Sequence, residues 1–316
     1  MRFIVDYIHV DSTHRLMKIA FFGRQLQEKD LRVMETLISD LFSYGHELLL
    51  HTSLYSKLLP YVPTSYGVGS FQTQRDLQGC CNMLFSIGGD GTLLDSVSVL
   101  GNSEIPVLGI NTGHLGFLTG LNRSGIEGLM ADLTQGKYHV EPRSLLKIES
   151  KENFFGEENY ALNESSIQCG TRKEIISISI FVNDIFMATC SADGILVATP
   201  TGSTAYCLSC GGPILQPDSA CFVIVPINSH TLMFRPIIVP DTARIRLVVE
   251  DSTQQIVVTA DAKHVEATPK TEIILSKEDF CVNLVKLQGT DFYSAMREKL
   301  MWGTDLRQQT SNSQKQ

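Results

Sequence analysis

Hydrophobic residues in the first third of the chain follow the pattern of strands alternating with helices. Residues 17–23, MKIAFFG, predict a buried first strand. Across residues 29–44 the apolar side chains recur at helical spacing, and Gly45 stands where such a helix would end. Short apolar runs follow at 47–50 and 82–87. Strand, helix and strand in this order predict an α/β domain with a parallel sheet.

After Pro142 the pattern changes to short segments in which apolar and polar residues alternate. SISIFV and IFMATC flank the pair Asn183-Asp184, and ARIRLVVE, QQIVVTAD and TEIILS follow. Alternation with a period of two, interrupted by polar turns, predicts antiparallel sheet. Near the end, DFYSAMREKLMWG has apolar residues one helical turn apart, which predicts an amphipathic helix that packs on another part of the protein.

These changes in pattern divide the chain into five predicted parts. They are an extension at 1–16, an α/β domain at 17–140, a β-rich domain at 141–275, a C-terminal segment at 276–302 that packs back on the α/β domain, and a disordered tail at 303–316. Two interpretations of the extension stay open: translation begins at Met17, or residues 1–16 form a loose tail.

Composition and charge restrict the classes of partner. The 316 residues include 26 Lys and Arg against 34 Asp and Glu, so the formal charge of −8 offers no basic field for nucleic acid or an acidic membrane surface. No apolar run approaches the roughly 18 residues of a membrane span. The 8 cysteines lack the spacing of a secreted disulfide scaffold. We therefore expect a cytoplasmic protein with reduced thiols, which binds any anionic ligand through local N–H groups, a few side chains or a metal ion.

The segment MLFSI-GGDGT-LLDSVSVL has the order strand, tight turn, helix. Gly88, Gly89 and Gly91 allow the backbone to approach a ligand closely. A helix predicted to begin near Thr92 directs unpaired N–H groups and the positive end of its dipole at the same place. This arrangement is typical of an anion site. The alternative is an ordinary turn in which Asp90 or Thr92 caps the helix.

Asp90 lies inside this loop, where its charge would repel a bound phosphate. A carboxylate is favourable there if it faces a cation, or a proton that has to be removed. A phosphoryl-transfer site needs both, since a carboxylate can deprotonate the attacking hydroxyl or help to hold the divalent ion of a polyphosphate. Asp90 is therefore the candidate catalytic residue, and the sequence assigns no metal ligands.

A second glycine-rich turn, TGHLGFLTG, follows the apolar run IPVLGIN. In a parallel sheet it places Asn111, Gly113, Gly116 and Phe117 at the same carboxyl edge as GGDGT, where ligands of open α/β sheets bind. Alone, such a turn often marks only a reversal of the chain. Beside GGDGT, it predicts the second wall of one crevice.

Two polar segments stand out in the β-rich half. LNESSI places Asn163 and Glu164 together, and both side chains can form directed hydrogen bonds to a ribose diol or an exocyclic amine; the alternative is a turn with a solvated glutamate. ADGILVATPTGSTAYCLSCGGPI has Asp193 before a predicted strand, then hydroxyls around a Pro-Thr-Gly turn and Tyr206. This combination suits a nucleotide with its base stacked on the ring, whereas helix capping would account for only one or two hydroxyls.

The remaining metal-ligating residue types give weaker signals. Cys207 and Cys210 form a CxxC pair, but no second pair has the spacing of a structural zinc site. His114 and His264 are the two histidines expected to border the crevice, although a lone histidine is more often structural.

Six segments together resemble the NAD kinase family: GGDGT at 88–92, NTGHLGF at 111–117, LNE at 162–164, DG at 193–194, TPTGSTAY at 199–206 with LSCGGPI after it, and MREKLMW at 296–302. Their order and spacing fit from about residue 17 to 302. GGDGT is shared with diacylglycerol-kinase-like lipid kinases and, in similar form, with phosphofructokinases. LNE together with TPTGSTAY singles out NAD kinases.

The resemblance implies an α/β nucleotide domain and a β-sandwich-like domain, with the C-terminal segment returning to the first. It implies phosphorylation of the adenosine ribose 2′-hydroxyl of NAD by ATP, giving NADP, with a divalent metal, expected to be Mg²⁺. It also implies a homodimer or homotetramer in which a neighbouring subunit helps to complete the NAD site.

In this comparison Asp90 corresponds to the proton acceptor and the glycines of GGDGT to the phosphate-binding turn. Asn163 and Glu164 would hold the NAD adenosine or its ribose, and Asp193 would contact the nicotinamide side. The residues predicted to bind the two nucleotides are Gly88, Gly89, Gly91, Thr92, Asn111, Gly116, Phe117, Asn163, Glu164, Asp193, Thr201, Thr204, Ala205, Tyr206, Cys207, Leu208 and Ser209.

Two positions depart from the family pattern. Ser191 stands where many members have Arg or His, so a charged contact to the dinucleotide is missing. Asp261 is followed by Ala-Lys-His instead of small and polar residues, which leaves open whether Lys263 or His264 takes over a contact. A lipid kinase remains an alternative, although the sequence shows no apolar lip or basic membrane face. A dinucleotide sensor that consumes no ATP is the other alternative.

Overall fold

The N-terminal half of the protein alternates strands and helices, as the sequence predicts. The computed structural model describes residues 16–24, 26–111, 113, 116–121, 125–170, 175–230, 233–250 and 255–302; most of the predicted extension and the whole predicted tail lie outside these residues. The elements of this half are β1 (Lys18–Phe22), α1 (Glu28–Ser43), β2 (Glu47–His51), α2 (Thr52–Leu58), β3 (Gly69–Phe71), α3 (Gln74–Leu77), β4 (Met83–Ile87), α4 (Asp90–Leu100), β5 (Val107–Ile110) and α5 (Leu129–Thr134).

Helix α1 forms where the apolar residues recur at helical spacing. Met34, Leu37 and Leu41 are fully buried in the core cluster that contains the neighbouring strands. The helix begins with a reciprocal cap in which the Gln27 N–H donates to Asp30 Oδ2 at 3.0 Å. It ends before Gly45, whose φ of +78° reverses the chain in a conformation that a side chain would strain. The predicted helix and its stop are therefore confirmed.

The parallel sheet brings the two predicted glycine-rich turns together. Its order is β3-β2-β1-β4-β5, so the chain first adds strands on one side of β1 and then on the other. Ligands of open α/β sheets bind at the carboxyl edge beside such a change of direction. At that edge Ile87 of β4 is paired with Ile110 of β5, so the segments after these strands start side by side.

The second half consists mainly of antiparallel strands, again as predicted. Asn183 and Asp184, with φ of +52° and +63°, form the two-residue turn expected between the first pair. The elements are β6 (Tyr138–Ser150), β7 (Tyr160–Ala161), β8 (Glu164–Cys169), β9 (Ile176–Val182), β10 (Ile185–Ala192), β11 (Gly194–Ala198), α6 (Tyr206–Ser209), β12 (Cys221–Ile227), β13 (Ile237–Pro240), β14 (Ile245–Val249), β15 (Ile256–Ala260), β16 (Lys263–Ala267), β17 (Glu272–Leu287) and α7 (Phe292–Leu300), with short 3-10 turns at Leu59–Tyr61, Gly156–Glu158 and Thr201–Thr204.

Two sheets enclose the core of this half. A 6-stranded sheet has the order β13-β12-β11-β8-β15-β16, and β9, β10, β14, β17 and β6 belong to an 11-stranded sheet that also contains the parallel strands. The inward residues of both sheets, such as Ile178, Ile195 and Leu247, share one buried cluster. The fold is therefore an α/β domain with a parallel sheet and an antiparallel β domain, as the sequence predicts.

Strand β17 connects the two halves. Its first residues pair antiparallel with β14, and Leu284 pairs parallel with Val107 of β5. Strand β6 accompanies β17 over most of its length. The predicted domain limits at residues 140 and 275 fall inside these two strands, because both halves share them.

None of the helices in the described part of the chain is long and apolar enough to cross a membrane.

Candidate active site

The GGDGT segment forms a turn between β4 and α4. Gly88 has a φ of +150°, and its N–H donates to the carbonyl of Ile110 at 2.9 Å, which joins this turn to the end of β5. Gly89 is the residue that precedes the helix, and α4 begins at Asp90. The predicted start of the helix near Thr92 was two residues late. The three glycines of the segment indicated a longer turn, but only Gly88 adopts a positive φ. Asp90 therefore stands in the first turn, where the helix dipole favours negative charge.

The second glycine-rich turn encloses the Asp90 carboxylate. Oδ2 accepts a hydrogen bond from the Phe117 N–H at 2.8 Å, and Oδ1 accepts from the N–H groups of Leu118 at 3.3 Å and Thr119 at 3.1 Å. The Thr119 hydroxyl also donates to Oδ1, at 3.0 Å. A Cβ on Gly116 would lie 1.6 Å from Oδ1, so only glycine permits this approach. The crevice predicted from the two turns is a direct contact between them.

Thr119 connects the parts of this turn, and the sequence did not single it out. Its hydroxyl oxygen accepts hydrogen bonds from the Gly116 N–H at 2.8 Å and from Asn111 Nδ2 at 3.2 Å. Asn111 is buried, and its Oδ1 accepts from the Gly113 N–H at 2.6 Å. Asn111 thus shapes the turn that holds Asp90. The signal that could have found Thr119 is a hydroxyl residue two positions after the glycine-phenylalanine pair.

A charged cluster lies beside the same turn. The ammonium of Lys286 on β17 lies 3.8 Å from the place where a Cβ of Gly120 would be. Burial and the nearby Arg143 charge lower the pKa of Lys286 to about 8, although Glu141 and Asp90 oppose this. Arg143 is buried and paired with Glu141, and its Nε has no hydrogen-bond partner among the described residues. Sequence reasoning missed this cluster because each residue lies in an otherwise ordinary alternating strand.

Asp261 fixes the backbone of the LNE segment. It lies in the turn between β15 and β16, and its Oδ1 and Oδ2 accept hydrogen bonds from the N–H groups of Leu162 and Asn163 at 2.8 Å and of Glu164 at 3.1 Å. The Lys263 ammonium, two residues further on, donates to the carbonyl of Glu158 at 2.6 Å.

The TPTGSTAY segment holds the other side of LNE. The Thr199 hydroxyl donates to the Leu162 carbonyl at 2.6 Å, and the Thr199 N–H donates to the Asn163 carbonyl at 2.9 Å. A Cβ on Gly202 would lie 2.0 Å from that Asn163 oxygen. The Ser203 hydroxyl is also used internally, donating to the Pro200 carbonyl at 2.7 Å. The Thr204 hydroxyl donates to the Thr201 carbonyl at 3.3 Å, so three of the clustered hydroxyls are used within the protein.

The side chains of this half differ in their access to solvent. Tyr206 is 40% exposed, which leaves its ring accessible, and Ser209 is also exposed, whereas Thr201 is buried. Cys207 is fully buried, and burial raises the pKa of its thiol to about 12, so its side chain is not reactive. Asp193 accepts a hydrogen bond from Asn228 Nδ2 at 2.9 Å. His264 is exposed on β16, and His114 lies outside the described residues.

Glu164 is a strongly perturbed acid of the site. Its Oε2 is buried without a hydrogen-bond partner among the described residues. Burial, together with the nearby negative charge of Asp261, raises the pKa of Glu164 to about 8, although the Tyr206 N–H donates to its carboxyl group and lowers the pKa. Its surroundings therefore favour the protonated form of Glu164.

Both motif groups rest on one hydrophobic cluster. Leu118, beside the Asp90 contacts, and Leu162, beside the Asp261 contacts, belong to the same set of buried residues. The C-terminal helix α7 adds a contact, since the Lys299 ammonium lies 4.8 Å from the centre of the Phe117 ring. Within the described ranges, no group of three His, Cys, Asp or Glu residues is arranged to hold a metal ion.

Comparison with known proteins agrees with this geometry. Family models of the ATP-NAD kinase N-terminal domain and the ATP-NAD kinase C-terminal domain match residues 59–138 and 162–287. The sequence is 36% identical over 294 residues to the NAD kinase of Cytophaga hutchinsonii, covering 92% of this chain and 100% of that protein. The chain belongs to the NAD kinase family. An NAD kinase of Bacteroides fragilis is 35% identical over 291 residues, with the same coverage.

Solved structures of the NAD kinase family share the fold. A crystal structure of yeast NADH kinase complexed with NADH superimposes with a TM-score of 0.82 at 24% identity, covering 92% of this chain and 89% of that one. An NAD kinase from Archaeoglobus fulgidus in complex with ATP gives a TM-score of 0.66 at 22% identity, covering 90% and 99%. The family models and the NAD kinase relatives confirm the resemblance found in the sequence, and the solved structures confirm the fold.

Proposed function

We propose that this NAD kinase family member transfers the γ-phosphoryl group of ATP to the 2′-hydroxyl of the adenosine ribose of NAD, with Asp90 as the proton acceptor. One observation carries the proposal: the Asp90 carboxylate is held at the N-terminus of α4 by three N–H groups and a hydroxyl of the second glycine-rich turn. A fixed carboxylate between two turns of the phosphate-binding type suits proton removal next to a transferring phosphoryl group.

In the proposed reaction the 2′-hydroxyl loses its proton to an Asp90 carboxylate oxygen while its own oxygen attacks the γ-phosphorus. The bond between this phosphorus and the β–γ bridging oxygen breaks, and ADP leaves. The hydrogen bonds of Phe117, Leu118 and Thr119 keep the carboxylate oriented, so little reorganisation is needed at the moment of transfer.

The dinucleotide would be held by the second half of the protein. We assign the adenosine or its ribose to Asn163 and Glu164, the nicotinamide side to Asp193, and the wall of the pocket to Thr204, Ala205, Tyr206 and Ser209. The exposed Tyr206 ring supports stacking on a base. The described residues do not fit a resident metal site. We therefore propose that Mg²⁺ enters bound to the phosphate oxygens of ATP, whose charge it offsets.

The decisive test is to incubate the purified protein with NAD, ATP and Mg²⁺ and to measure NADP. We expect Asp90→Asn to retain NAD binding and to lose roughly 10²- to 10⁴-fold in kcat, the contribution typical of a general base. Asp76→Asn is the matched control, because Asp76 also accepts backbone hydrogen bonds, from Gln72 and Thr73, but lies at α3. A near wild-type kcat in Asp90→Asn would refute its role. NAD binding without ATP consumption by the wild type would identify a sensor instead.

We also infer that the protein is a cytoplasmic homodimer or homotetramer. All 8 cysteines are free, which supports a reducing compartment. The edge strands β10 and β13 expose Ile185 (73%), Phe186 (56%) and Ile238 (52%), and exposed apolar edges favour association. Light scattering after size exclusion measures the oligomeric state, and a monomer at micromolar concentration would contradict the inference.

A further inference from the structure

Asp261 is linked to the dinucleotide half of the site by four hydrogen bonds. Its carboxylate accepts the N–H groups of Leu162, Asn163 and Glu164, which lie 97 to 99 positions earlier in the chain. Its own N–H donates to the Glu164 carbonyl at 2.9 Å. Asp261 has a φ of +51°, a conformation that aspartate tolerates in a turn. The Asp261 carboxylate therefore holds the N–H groups of residues 162–164, while Thr199 holds the carbonyls of Leu162 and Asn163.

Asp261 and Glu164 are also neighbouring acids, both half-buried, and the protein donates most of its hydrogen bonds to Asp261. Burial raises the pKa of Asp261, but three N–H groups and the nearby Lys263 ammonium oppose this and stabilise its charged form. Glu164 accepts one N–H group, from Tyr206, and its Oε2 has no partner among the described residues. Two neighbouring carboxyl groups do not both ionise readily. The negative charge therefore belongs on Asp261 and the proton on Glu164.

The other groups around Glu164 favour the same assignment. Tyr206 and Cys207 on α6, and Cys210 directly after it, carry no positive charge, and burial raises the pKa of each of these groups. Asp193 adds negative charge near Tyr206. Lys263, whose charge acts on Asp261, is held by the carbonyl and carboxylate of Glu158, at 2.6 Å and 3.5 Å. It is therefore not available to pair with Glu164.

We propose that Asp261 is a positioning residue of the dinucleotide site: its carboxylate fixes the backbone of residues 162–164, and its charge keeps Glu164 a neutral acid whose O–H donates a hydrogen bond to an oxygen or ring nitrogen of the NAD nucleoside. The inference rests on the proposed function, which places NAD at Asn163 and Glu164. A carboxylate at this position could only accept hydrogen bonds, whereas a carboxylic acid can also donate one. The protonation of Glu164 thus decides which nucleoside atoms it recognises.

The first experiment compares Asp261→Asn with Asp184→Asn. Asp184 is a matched control because it is also a turn aspartate with positive φ, 63°, but its carboxylate is exposed and faces Arg244. We expect Asp261→Asn to raise the KM for NAD about 10-fold or more, since its amide would oppose backbone N–H groups, while the KM for ATP stays within about 2-fold. Asp184→Asn should behave like the wild type. Equal NAD binding in both variants would overturn the positioning role.

The second experiment tests the proton on Glu164 and does not depend on the folding of Asp261→Asn. In the wild type the KM for NAD should rise above pH 8, as Glu164 ionises. Glu164→Gln keeps a neutral donor, so its KM should stay constant above pH 8 and should lie below that of Glu164→Ala, which should weaken NAD binding at every pH. A pH-independent wild-type KM, or Gln as harmful as Ala, would overturn the assignment.

A spectroscopic measurement separates this inference from the proposed function. The infrared difference spectrum between wild type and Glu164→Gln at pH 7 should contain the C=O stretch of a protonated carboxylic acid, and its absence would show an ionised Glu164. NAD binding by calorimetry gives the Asp261 result without turnover. If the wild type forms no NADP but Asp261→Asn still weakens NAD binding, the proposed kinase activity fails and the positioning role stands.

Discussion

Gly91→Ala separates what the protein fold requires of GGDGT from what a phosphate ligand requires. Gly91 is the second residue of α4, and its φ is not positive. A Cβ added there would meet no atom within 4 Å. Packing and backbone geometry therefore give no reason for glycine at this position. The remaining reason is the close approach of a ligand to the backbone.

The structure predicts opposite effects of this substitution on stability and on activity. Replacing a helical glycine by alanine stabilises by about 0.5–1 kcal/mol, which in a chain of this size raises Tm by roughly 1–3 °C. The added methyl group would occupy the space of a phosphate oxygen, so we expect the KM for ATP to rise about 10-fold or more. Calorimetry and steady-state kinetics at saturating NAD measure the two effects.

Two further glycines serve as controls. Gly67→Ala also adds a Cβ without neighbours within 4 Å, at a position outside GGDGT, and should leave the KM for ATP unchanged. Gly88→Ala should destabilise by roughly 1–3 kcal/mol, since its φ is +150° and a Cβ would lie 2.3 Å from Thr92 Oγ1. A destabilised Gly91→Ala, or one with an unchanged KM for ATP, would refute the reasoning.

Two other substitutions test the dinucleotide half. Gly202→Ala would place a Cβ 2.0 Å from the Asn163 carbonyl oxygen, so we expect a loss of about 3 kcal/mol in chemical denaturation and a higher KM for NAD; unchanged stability would contradict this packing. Glu164→Gln should remove a pH dependence of stability. The pKa of Glu164 is raised from 4.5 to about 8 in the folded protein, so the wild type loses stability as the pH rises through this window. The loss is at most on the order of 5 kcal/mol. The free energy of unfolding of the variant, measured relative to the wild type in denaturant titrations, should therefore increase between pH 5 and 8. If the free energies of the two proteins change in parallel with pH, Glu164 is ionised.

Hydrophobic periodicity was sufficient to predict most of the fold. The helix at 29–44 corresponds to α1, and the period-two segments correspond to β9, β10, β14, β15 and the start of β17. Such patterns depend on which face of an element is buried, and that face is visible in the sequence. The division at residue 275 was placed inside β17 because no periodicity shows which partners a strand will pair with.

The chemistry-bearing motifs were visible in the sequence, but the contacts between them were not. Asp90 and Gly116 were both identified, yet the contact of the Asp90 carboxylate with the second turn depends on N–H groups that every residue has. Asp261 was identified with its role left open, because its partners are 97 to 99 positions away. Arg143 and Lys286 were missed, since a charge in an alternating strand normally faces solvent and here does not.

Strand β17 has a mechanical consequence for how substrates reach the site. Its 16 residues extend over roughly 50 Å and are hydrogen bonded to β5 and β14, one from each half. A hinge that separated the two halves would have to bend this strand and its partner β6 and break part of their ladder. We therefore expect the frame of the enzyme to be stiff, so that ATP and NAD enter through movements of the turns around Asp90 and Tyr206 and not through the closure of two lobes.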